Sequence, residues 1–289
     1  MGLAPSKKSQ SLESLDRQLF SRDSRKYLLE VLSPYLDEKN LIDIVHDYMG
    51  TPFLSTWRVG GDYGLSIVLP LQRDGKYNFT VDWGDGKHDQ ITRFNQAEKS
   101  HRYKKAGSYI VELNGVVDGF AFNHMGANGR LISSPSCKQI IAIVQWGCLG
   151  LSSRGYQFQG CVNLNSSAQD APNLTSAMSL KSMFRDCKAF NGDLSGWNTA
   201  ACTDMSFMFY GASSFNGDVS GWNTSACTNM SCMFAYASSF NGDVSGWNTA
   251  ACRDMSNMFY DASSFNGDVS VPAGCTNMDF LFHGTAVER

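Results

Sequence analysis

A 25-residue repeat fills the carboxy-terminal part of this chain and constrains its fold more than any other feature. The segment Met205–Phe209 returns as Met230–Phe234 and Met255–Phe259, and a related unit occurs upstream at Leu180–Phe184. A further copy, Met278–Phe282, follows after a shorter interval. Units this short cannot each enclose a core, so they must stack and bury their apolar faces against one another. The repeats therefore predict an elongated array.

Apolar side chains recur at fixed positions of the unit and are predicted to form its core. From Cys202 onward their spacing is that of an amphipathic helix, and Asn216-Gly217 is typical of a helix end. The following residues, Asp218–Trp222, alternate as in a short strand with Val219 inward. Each coil is therefore predicted to contain one short helix and one short strand. The predicted core residues are Met183, Phe184, Met208, Phe209, Met233, Phe234, Met258, Phe259, Trp197, Trp222 and Trp247.

Two polar rows run along the repeats. The asparagine row is predicted to bond backbone groups along the turns, and consists of Asn191, Asn216, Asn241 and Asn266. An aspartate row occupies the same turns at Asp193, Asp218, Asp243 and Asp268. Its carboxylates could cap turn amides or hold a cation, and we favour the capping of amides.

The repeats resemble those of BspA-like proteins, a branch of the leucine-rich-repeat class. The resemblance spans about residues 131–283 and rests on Met-Phe, Phe-Asn-Gly-Asp and Trp-Asn-Thr motifs in register. It implies a curved α/β solenoid that contacts proteins or surfaces, and it implies no catalytic residues.

Residues 51–126 are predicted to form a β-sandwich. Stretches rich in β-branched and aromatic residues occur at Leu65–Leu69, Tyr77–Trp83 and Tyr109–Leu113. With the turn Asp82–Gly86 between them, they resemble a PKD-type β-sandwich, a module that BspA-like proteins often carry before their repeats. The apolar segment Lys138–Trp146 is predicted to be a strand that covers the first open end of the solenoid.

The first six residues, Met-Gly-Leu-Ala-Pro-Ser, match the pattern for N-myristoylation at Gly2. Lys7 and Lys8 follow, and basic residues strengthen the weak membrane binding of a single myristoyl chain. Residues 1–23 are accordingly predicted to be a flexible, basic tail that carries a lipid and contacts a membrane.

Residues 24–50 are predicted to form a helical hairpin. One apolar stripe includes Tyr27 and Leu28, another includes Leu41 and Ile44, and Pro34 ends or bends the first helix. The pair resembles an F-box, which recruits a ubiquitin ligase, but simple packing against the sandwich or a homotypic contact is the favoured interpretation.

Composition and motifs exclude several classes of function. The net charge of −3 is too small to indicate nucleic-acid binding, and no secretory signal or transmembrane segment is recognisable. Four of the nine cysteines recur at one repeat position, as expected of free thiols in a reducing, intracellular compartment. No nucleophile elbow, phosphate loop or zinc-ligand spacing occurs, so no enzyme, metal, cofactor or small-molecule substrate is expected.

These features together predict the α+β class. Short amino-terminal helices precede a PKD-like β-sandwich over residues 51–126, and an α/β leucine-rich-repeat-type solenoid follows over residues 127–289. The predicted function is a non-enzymatic scaffold that contacts other proteins or its own copies. It would be cytoplasmic, at a membrane or within a large assembly such as a virion or a cytoskeletal complex. An F-box-like substrate adaptor and a surface adhesin stay open as alternatives.

The amino-terminal motif generates the first testable prediction. Intact-mass analysis of the protein from its native source is expected to show a myristoyl group on Gly2, because the motif and the adjacent lysines supply both membrane signals. An unmodified glycine would contradict the lipidated tail.

Overall fold

The computed structural model describes residues 50–125, 130–174 and 179–287. Within these ranges the chain forms eleven β-strands and three short 3₁₀ helices, with no α-helix and none that could cross a membrane. The strands are β1 (Phe53–Val59), β2 (Ser66–Val68), β3 (Leu71–Asp82), β4 (His88–Ile91), β5 (Ser100–Arg102), β6 (Gly107–Phe120), β7 (Asn123–Met125), β8 (Leu131–Ser133), β9 (Ile140–Gln145), β10 (Leu149–Leu151) and β11 (Asn165–Ser166). The 3₁₀ helices are Gly61–Tyr63, Ala97–Lys99 and Pro135–Lys138.

Seven strands form one mixed sheet in the order β11-β9-β1-β6-β3-β4, with β10 also paired to β6. Neighbours from β9 to β4 are antiparallel, whereas β10 and β11 pair in parallel with β6 and β9. Two short antiparallel pairs, β2–β5 and β7–β8, complete the strands. Alternation along β1 buries Phe53 and Trp57 completely, as expected for a strand with one face on the core.

The chain then winds into stacked coils of 25 residues, which we call the coil stack (residues 153–286). In the turn segment of each coil, backbone N–H groups donate to carbonyl groups of the following coil. Leu180 donates to Asp204 at 2.9 Å, Ser182 to Ser206 at 2.9 Å and Phe184 to Met208 at 2.8 Å. The same bonds recur at later interfaces, so each coil satisfies the backbone of its neighbour as strands do in a sheet.

The helix predicted in each coil is wrong. Phe207 adopts a positive φ of 59° and Gly211 one of 67°, which interrupt any right-handed helix. Successive three-residue turns replace it, closed by bonds such as Met208 N–H to the Met205 carbonyl at 3.2 Å. Such turns return apolar side chains to the interior about every three residues, and this produced the helix-like spacing.

The predicted strand at Asp218–Trp222 is also wrong, because this segment is a turn closed by the Trp222 N–H and the Val219 carbonyl at 3.2 Å. The predicted α+β class with an α/β leucine-rich-repeat solenoid is therefore wrong. The described chain is built from strands and turns.

The two predicted domains do not form separate sheets. β9, β10 and β11 lie beyond residue 126 but belong to the same sheet as β1, β3 and β6. The boundary at residues 126/127 stays a prediction. The predicted tail of residues 1–23 and the helical hairpin up to residue 49 lie outside the described residues.

Columns of aromatic rings fill the coil stack. Phe184, Phe209, Phe234 and Phe259 stack with successive centroid distances of 5.8, 5.4 and 5.6 Å. A second column, led by Phe190, lies beside the first, with a ring distance of 4.0 Å between Phe184 and Phe190. Full burial of each such side chain stabilises the fold by about 1.5–3 kcal/mol. Neither ring column could be buried without the neighbouring coils.

Side-chain bonds reinforce the stacking. The Asn191 Oδ1 accepts the backbone N–H of Asn216 in the next coil at 2.8 Å. In the same way the Asn216 Oδ1 accepts the backbone N–H of Asn241 at 2.8 Å. The indole of Trp222 donates to the Leu194 carbonyl of the preceding coil at 3.0 Å. These contacts tie a given position of each coil to one position of its neighbour.

The sheet closes the first end of the coil stack. The N–H of Phe122 donates to the Gln157 carbonyl at 2.7 Å, and the N–H of Ser167 to the Ile143 carbonyl at 2.9 Å. The Phe158 ring lies 5.8 Å from the Trp146 ring and 5.9 Å from that of Phe184, between sheet and coils. The sheet and the coil stack therefore share one continuous core.

The tryptophan column allows a matched test of inter-coil hydrogen bonding. Trp197 and Trp222 are equally buried, but among the described residues the Trp197 indole N–H has no acceptor. Trp222→Phe should therefore lower the free energy of unfolding by about 1 kcal/mol more than Trp197→Phe, because only Trp222 loses a hydrogen bond. Urea denaturation of both variants measures the difference. An equal or larger loss for Trp197→Phe would contradict it.

Candidate functional site

The repeats are nearly identical, and their differences are concentrated. In the first sixteen residues counted from Met205, Met230 and Met255, the three coils differ at three positions only. These positions hold Phe207, Cys232 and Asn257; Tyr210, Ala235 and Tyr260; and Gly211, Tyr236 and Asp261. Packing explains why the buried residues are constant. The divergent positions are those where stacking does not demand one residue type.

The divergent positions lie in the turn segments, beside the positive-φ residues. Residues 182, 207, 232, 257 and 280 share a φ between 53° and 59°, so they are equivalent in successive coils. We call the surface formed by these positions and those three and four residues later the variable face. In the outer coils it carries Ser182, Arg185 and Asp186, and Phe280, His283 and Gly284.

An aromatic row runs along the variable face. The Tyr236 ring lies 5.2 Å from that of Tyr210 and 5.5 Å from that of Tyr260. Tyr260 in turn lies 4.8 Å from His283, and Phe280 lies 5.9 Å from His283. Tyr236 is 43% exposed and Phe280 64% exposed, so the row is open to solvent. Four successive coils thus contribute to one continuous aromatic surface.

The Arg185 side chain packs against the first end of this row. The Arg185 Cζ lies 4.5 Å from the Tyr210 ring centroid and 5.3 Å from that of Phe207. Its Nε lies 3.5 Å from the Asp186 Oδ2, an ion-pair distance without hydrogen-bond geometry. Stacking of a guanidinium on an aromatic ring contributes about 0.5–2 kcal/mol. The variable face therefore already holds one arginine side chain, between two rings and a carboxylate.

The pKa of one phenol of the row, that of Tyr236, lies above its ordinary value. Partial desolvation, followed by the neighbouring Tyr210, Tyr260 and Asp261, raises the pKa of Tyr236. Tyr236 therefore presents its ring face and a neutral hydroxyl group.

The eleven predicted core residues, from Met183 to Phe259, do not reach this surface. Their exposed fractions are at most 4%, so they pack and cannot contact a partner. Asn191, Asn216 and Asn241 bridge to the N–H of the following coil, and no donor meets the Asn266 side chain among the described residues. Gly2, Lys7 and Lys8 lie outside the described residues.

The aspartate row caps turns. Asp193, Asp218 and Asp243 accept backbone N–H groups two residues later at 2.9 Å. Hydrogen bonds from Ser195 and Ser220 lower the pKa of Asp193 and Asp218. The described ranges contain no cluster of three or more His, Cys, Asp or Glu residues that could hold a metal ion.

The turn between β3 and β4 is likewise structural. The Asp82 Oδ1 accepts the Gly84 N–H at 2.9 Å, and the Trp83 indole donates to the Asp89 Oδ2 at 2.8 Å. A ring nitrogen of His101 lies 2.9 Å from the Asp85 Oδ2. Each of these carboxylates thus has a hydrogen-bond partner within the protein, as expected of side chains that stabilise a hairpin turn.

The repeats match a known family model. Residues 153–286 match the model of a family described as Mycoplasma protein of unknown function, DUF285. The coil stack matches a repeat family. That family is related to BspA-like proteins, and the comparisons support neither a PKD-like module nor leucine-rich repeats. No curated protein and no solved structure matches the chain. The matched range includes the whole variable face.

The cysteines of the coils are buried rather than poised for chemistry. None of the nine cysteines, all of which lie in the described ranges, forms a disulfide, and Cys202, Cys227 and Cys252 of the repeat core are fully buried. Burial raises the pKa of Cys202 to about 11 and that of Cys227 to about 12. A protonated, inaccessible thiol is a poor nucleophile.

Thiol reactivity tests this assignment. At pH 8 iodoacetamide should alkylate Cys232 on the variable face in the native protein, and Cys202 and Cys227 only after unfolding. Peptide mass spectrometry measures each rate. Because the folded state keeps thiol protons that the unfolded state loses, the free energy of unfolding should fall as pH rises from about 9 to about 11. Equal native alkylation of Cys227 and Cys232 would contradict the buried column.

Proposed function

We propose that this protein is a non-enzymatic scaffold that binds partner proteins on the variable face of its coil stack. One observation carries the proposal: over the sixteen residues from Met205, Met230 and Met255, the coils diverge only at three positions, and these contribute to the exposed aromatic face. Stability alone would favour identical small polar residues there. Exposed tyrosine and phenylalanine at these positions instead suit an interface, where aromatic residues and arginine are enriched.

The shape of the face favours a macromolecular partner. The aromatic row crosses four coils as an open surface, whereas small-molecule sites are concave and enclose most of their ligand. Tyrosine supplies contact area with few rotatable bonds, so ordering it costs little conformational entropy. An elongated row of this kind is suited to a protein segment laid along the stack.

The stack also fixes the spacing of the row. Backbone bonds at each interface and two ring columns hold neighbouring coils together, so the exposed rings are positioned before a partner arrives. Pre-organisation of this kind lowers the entropic cost of association. The same stiffness suits a structural component of a large assembly, and the Gly2 motif favours one at a membrane.

The alternatives carried from the sequence depend on other parts of the chain. The F-box-like adaptor requires the helical hairpin of residues 24–50, most of which lies outside the described residues. The surface adhesin requires export of the chain. Both stay predictions, and each would use the same variable face to capture its partner.

Comparative affinity isolation tests the proposed function. The wild-type chain and the double variant Tyr236→Ala/Tyr260→Ala are expressed in the native source, crosslinked and analysed by mass spectrometry. Partners crosslinked to the variable face should fall at least about tenfold in the variant, since removing central aromatic residues costs about 2 kcal/mol or more.

The control removes two exposed apolar side chains from the sheet instead. Ile110→Ala/Val116→Ala changes residues that are 57% and 50% exposed on β6, and should leave the partners unchanged. Thermal unfolding checks that both variants fold. Equal recovery of the same partners by both double variants would overturn the proposal.

A further inference from the structure

We infer that the far end of the variable face is a binding site for an arginine side chain of the partner protein. This inference rests on the proposed function and names the chemistry of its partner. The site consists of Asp261, Phe280 and His283, with Tyr260 and Tyr236 alongside. The same positions three coils earlier already hold an arginine of the chain itself.

The first copy of the site shows what it binds. Asp186 supplies the carboxylate, and the next coil supplies the rings of Phe207 and Tyr210. The Arg185 guanidinium lies over both rings and pairs with Asp186. A planar guanidinium is suited to this place, because it can stack on a ring and meet a carboxylate at its edge.

The second copy has the same parts in the same register. Asp261 is the counterpart of Asp186, Phe280 of Phe207, and His283 of Tyr210. The carboxylates are placed alike: a Cβ on Gly211 would lie 2.7 Å from the Asp186 Oδ1, and one on Gly284 even closer to the Asp261 Oδ1. Each aspartate therefore occupies the space that a glycine of the next coil leaves open.

What the second copy lacks is the arginine. Its counterpart is Tyr260, whose ring lies 4.8 Å from that of His283 and 6.4 Å from that of Phe280. Phe280 is nevertheless 64% exposed, whereas Phe207 is partly buried. A guanidinium of the partner would therefore stack on the exposed part of Phe280, beside Tyr260. Among the described residues no Lys or Arg pairs with Asp261. Phe280 and His283 also line a cavity of about 330 Å³ together with Asp268, which adds a second carboxylate beside the rings.

The charge of the stack favours a basic partner. Residues 179–287 carry four basic residues, which are Lys181, Arg185, Lys188 and Arg253. They carry nine acidic residues, which are Asp186, Asp193, Asp204, Asp218, Asp243, Asp254, Asp261, Asp268 and Asp279. The acidic field attracts any cation, whereas the rings distinguish arginine from lysine because a guanidinium is more weakly hydrated and stacks better. Selectivity for arginine is therefore the signature of this site.

Fluorescence anisotropy with labelled nona-arginine and nona-lysine peptides tests the inference on the full chain. The two probes carry equal charge. The arginine peptide should bind at least about fivefold more tightly, which corresponds to about 1 kcal/mol of ring stacking. Asp261→Asn and Phe280→Ala should each remove most of that preference. Asp62→Asn, which changes the net charge equally at an exposed position in the sheet region, should not.

A reciprocal variant uses the first copy of the site. Arg185→Ala uncovers Asp186, Phe207 and Tyr210, and should add a second arginine-selective site per chain, measured as a rise in stoichiometry. Equal binding of both peptides, or no effect of Asp261→Asn and Phe280→Ala, would overturn the inference. Self-association of the full chain that Asp261→Asn abolishes would overturn the assignment to a different protein.

The two proposals fail separately. Loss of crosslinked partners in Tyr236→Ala/Tyr260→Ala without arginine selectivity would leave the scaffold function standing and remove the arginine site. Arginine selectivity with partners unchanged in that double variant would remove the proposed interface, and with it the biological role of the site.

Discussion

Ring stacking at a fixed pitch is the interaction on which the rest of the coil stack depends. Successive phenylalanines of the central column lie 5.4–5.8 Å apart, close enough for the backbones between them to hydrogen-bond. The asparagine bridges, the tryptophan indoles and the turn-segment bonds all need that pitch. The last unit is shorter, yet Phe282 stacks on Phe259 at 5.8 Å and the Met255 N–H still donates to the Asn277 carbonyl at 2.9 Å, so a change of length outside the turn segment leaves the pitch intact. The aromatic surface outside is a by-product of the same register, since it places one turn segment beside the next.

The sequence predicted which residues are buried more reliably than it predicted the backbone conformation that buries them. Alternation marked strands around Tyr77–Trp83 and Tyr109–Leu113, and β3 and β6 cover most of these residues. Repeat spacing marked the aromatic core. The helix was wrong because three-residue turns and helices return side chains inward at similar intervals. What separates them is a positive φ at Phe207 and its counterparts, a conformation that phenylalanine does not signal.

The aromatic row could not be predicted from positional equivalence. Tyr210 and Tyr236 are one residue out of register, as are Tyr236 and Tyr260, and only the folded turns bring their rings into contact. The available signal was different: the turn segments of the repeats diverge at Cys232 and Tyr236, which are not fully buried, and at Ala235, which is buried beside them. Because the repeats of one chain can be compared with one another, positions that stay constant indicate the core, and most positions that vary indicate the surface.

The direction of the turn-segment hydrogen bonds gives the stack a polarity. At every interface these N–H groups point toward the later coil and the carbonyls toward the earlier one, so the peptide dipoles of the turn segments align along the stack axis. Fewer bonds run the opposite way, such as that from the Thr228 N–H to the Thr203 carbonyl, and they offset part of this alignment. The resulting macrodipole places its positive pole at the last coil, where a helix has its negative pole. There the N–H groups of Met278, Phe280 and Phe282 meet no acceptor within the described chain. Two stacks abutted by these ends would set donors against donors, so the coil stack has a head and a tail that are not interchangeable.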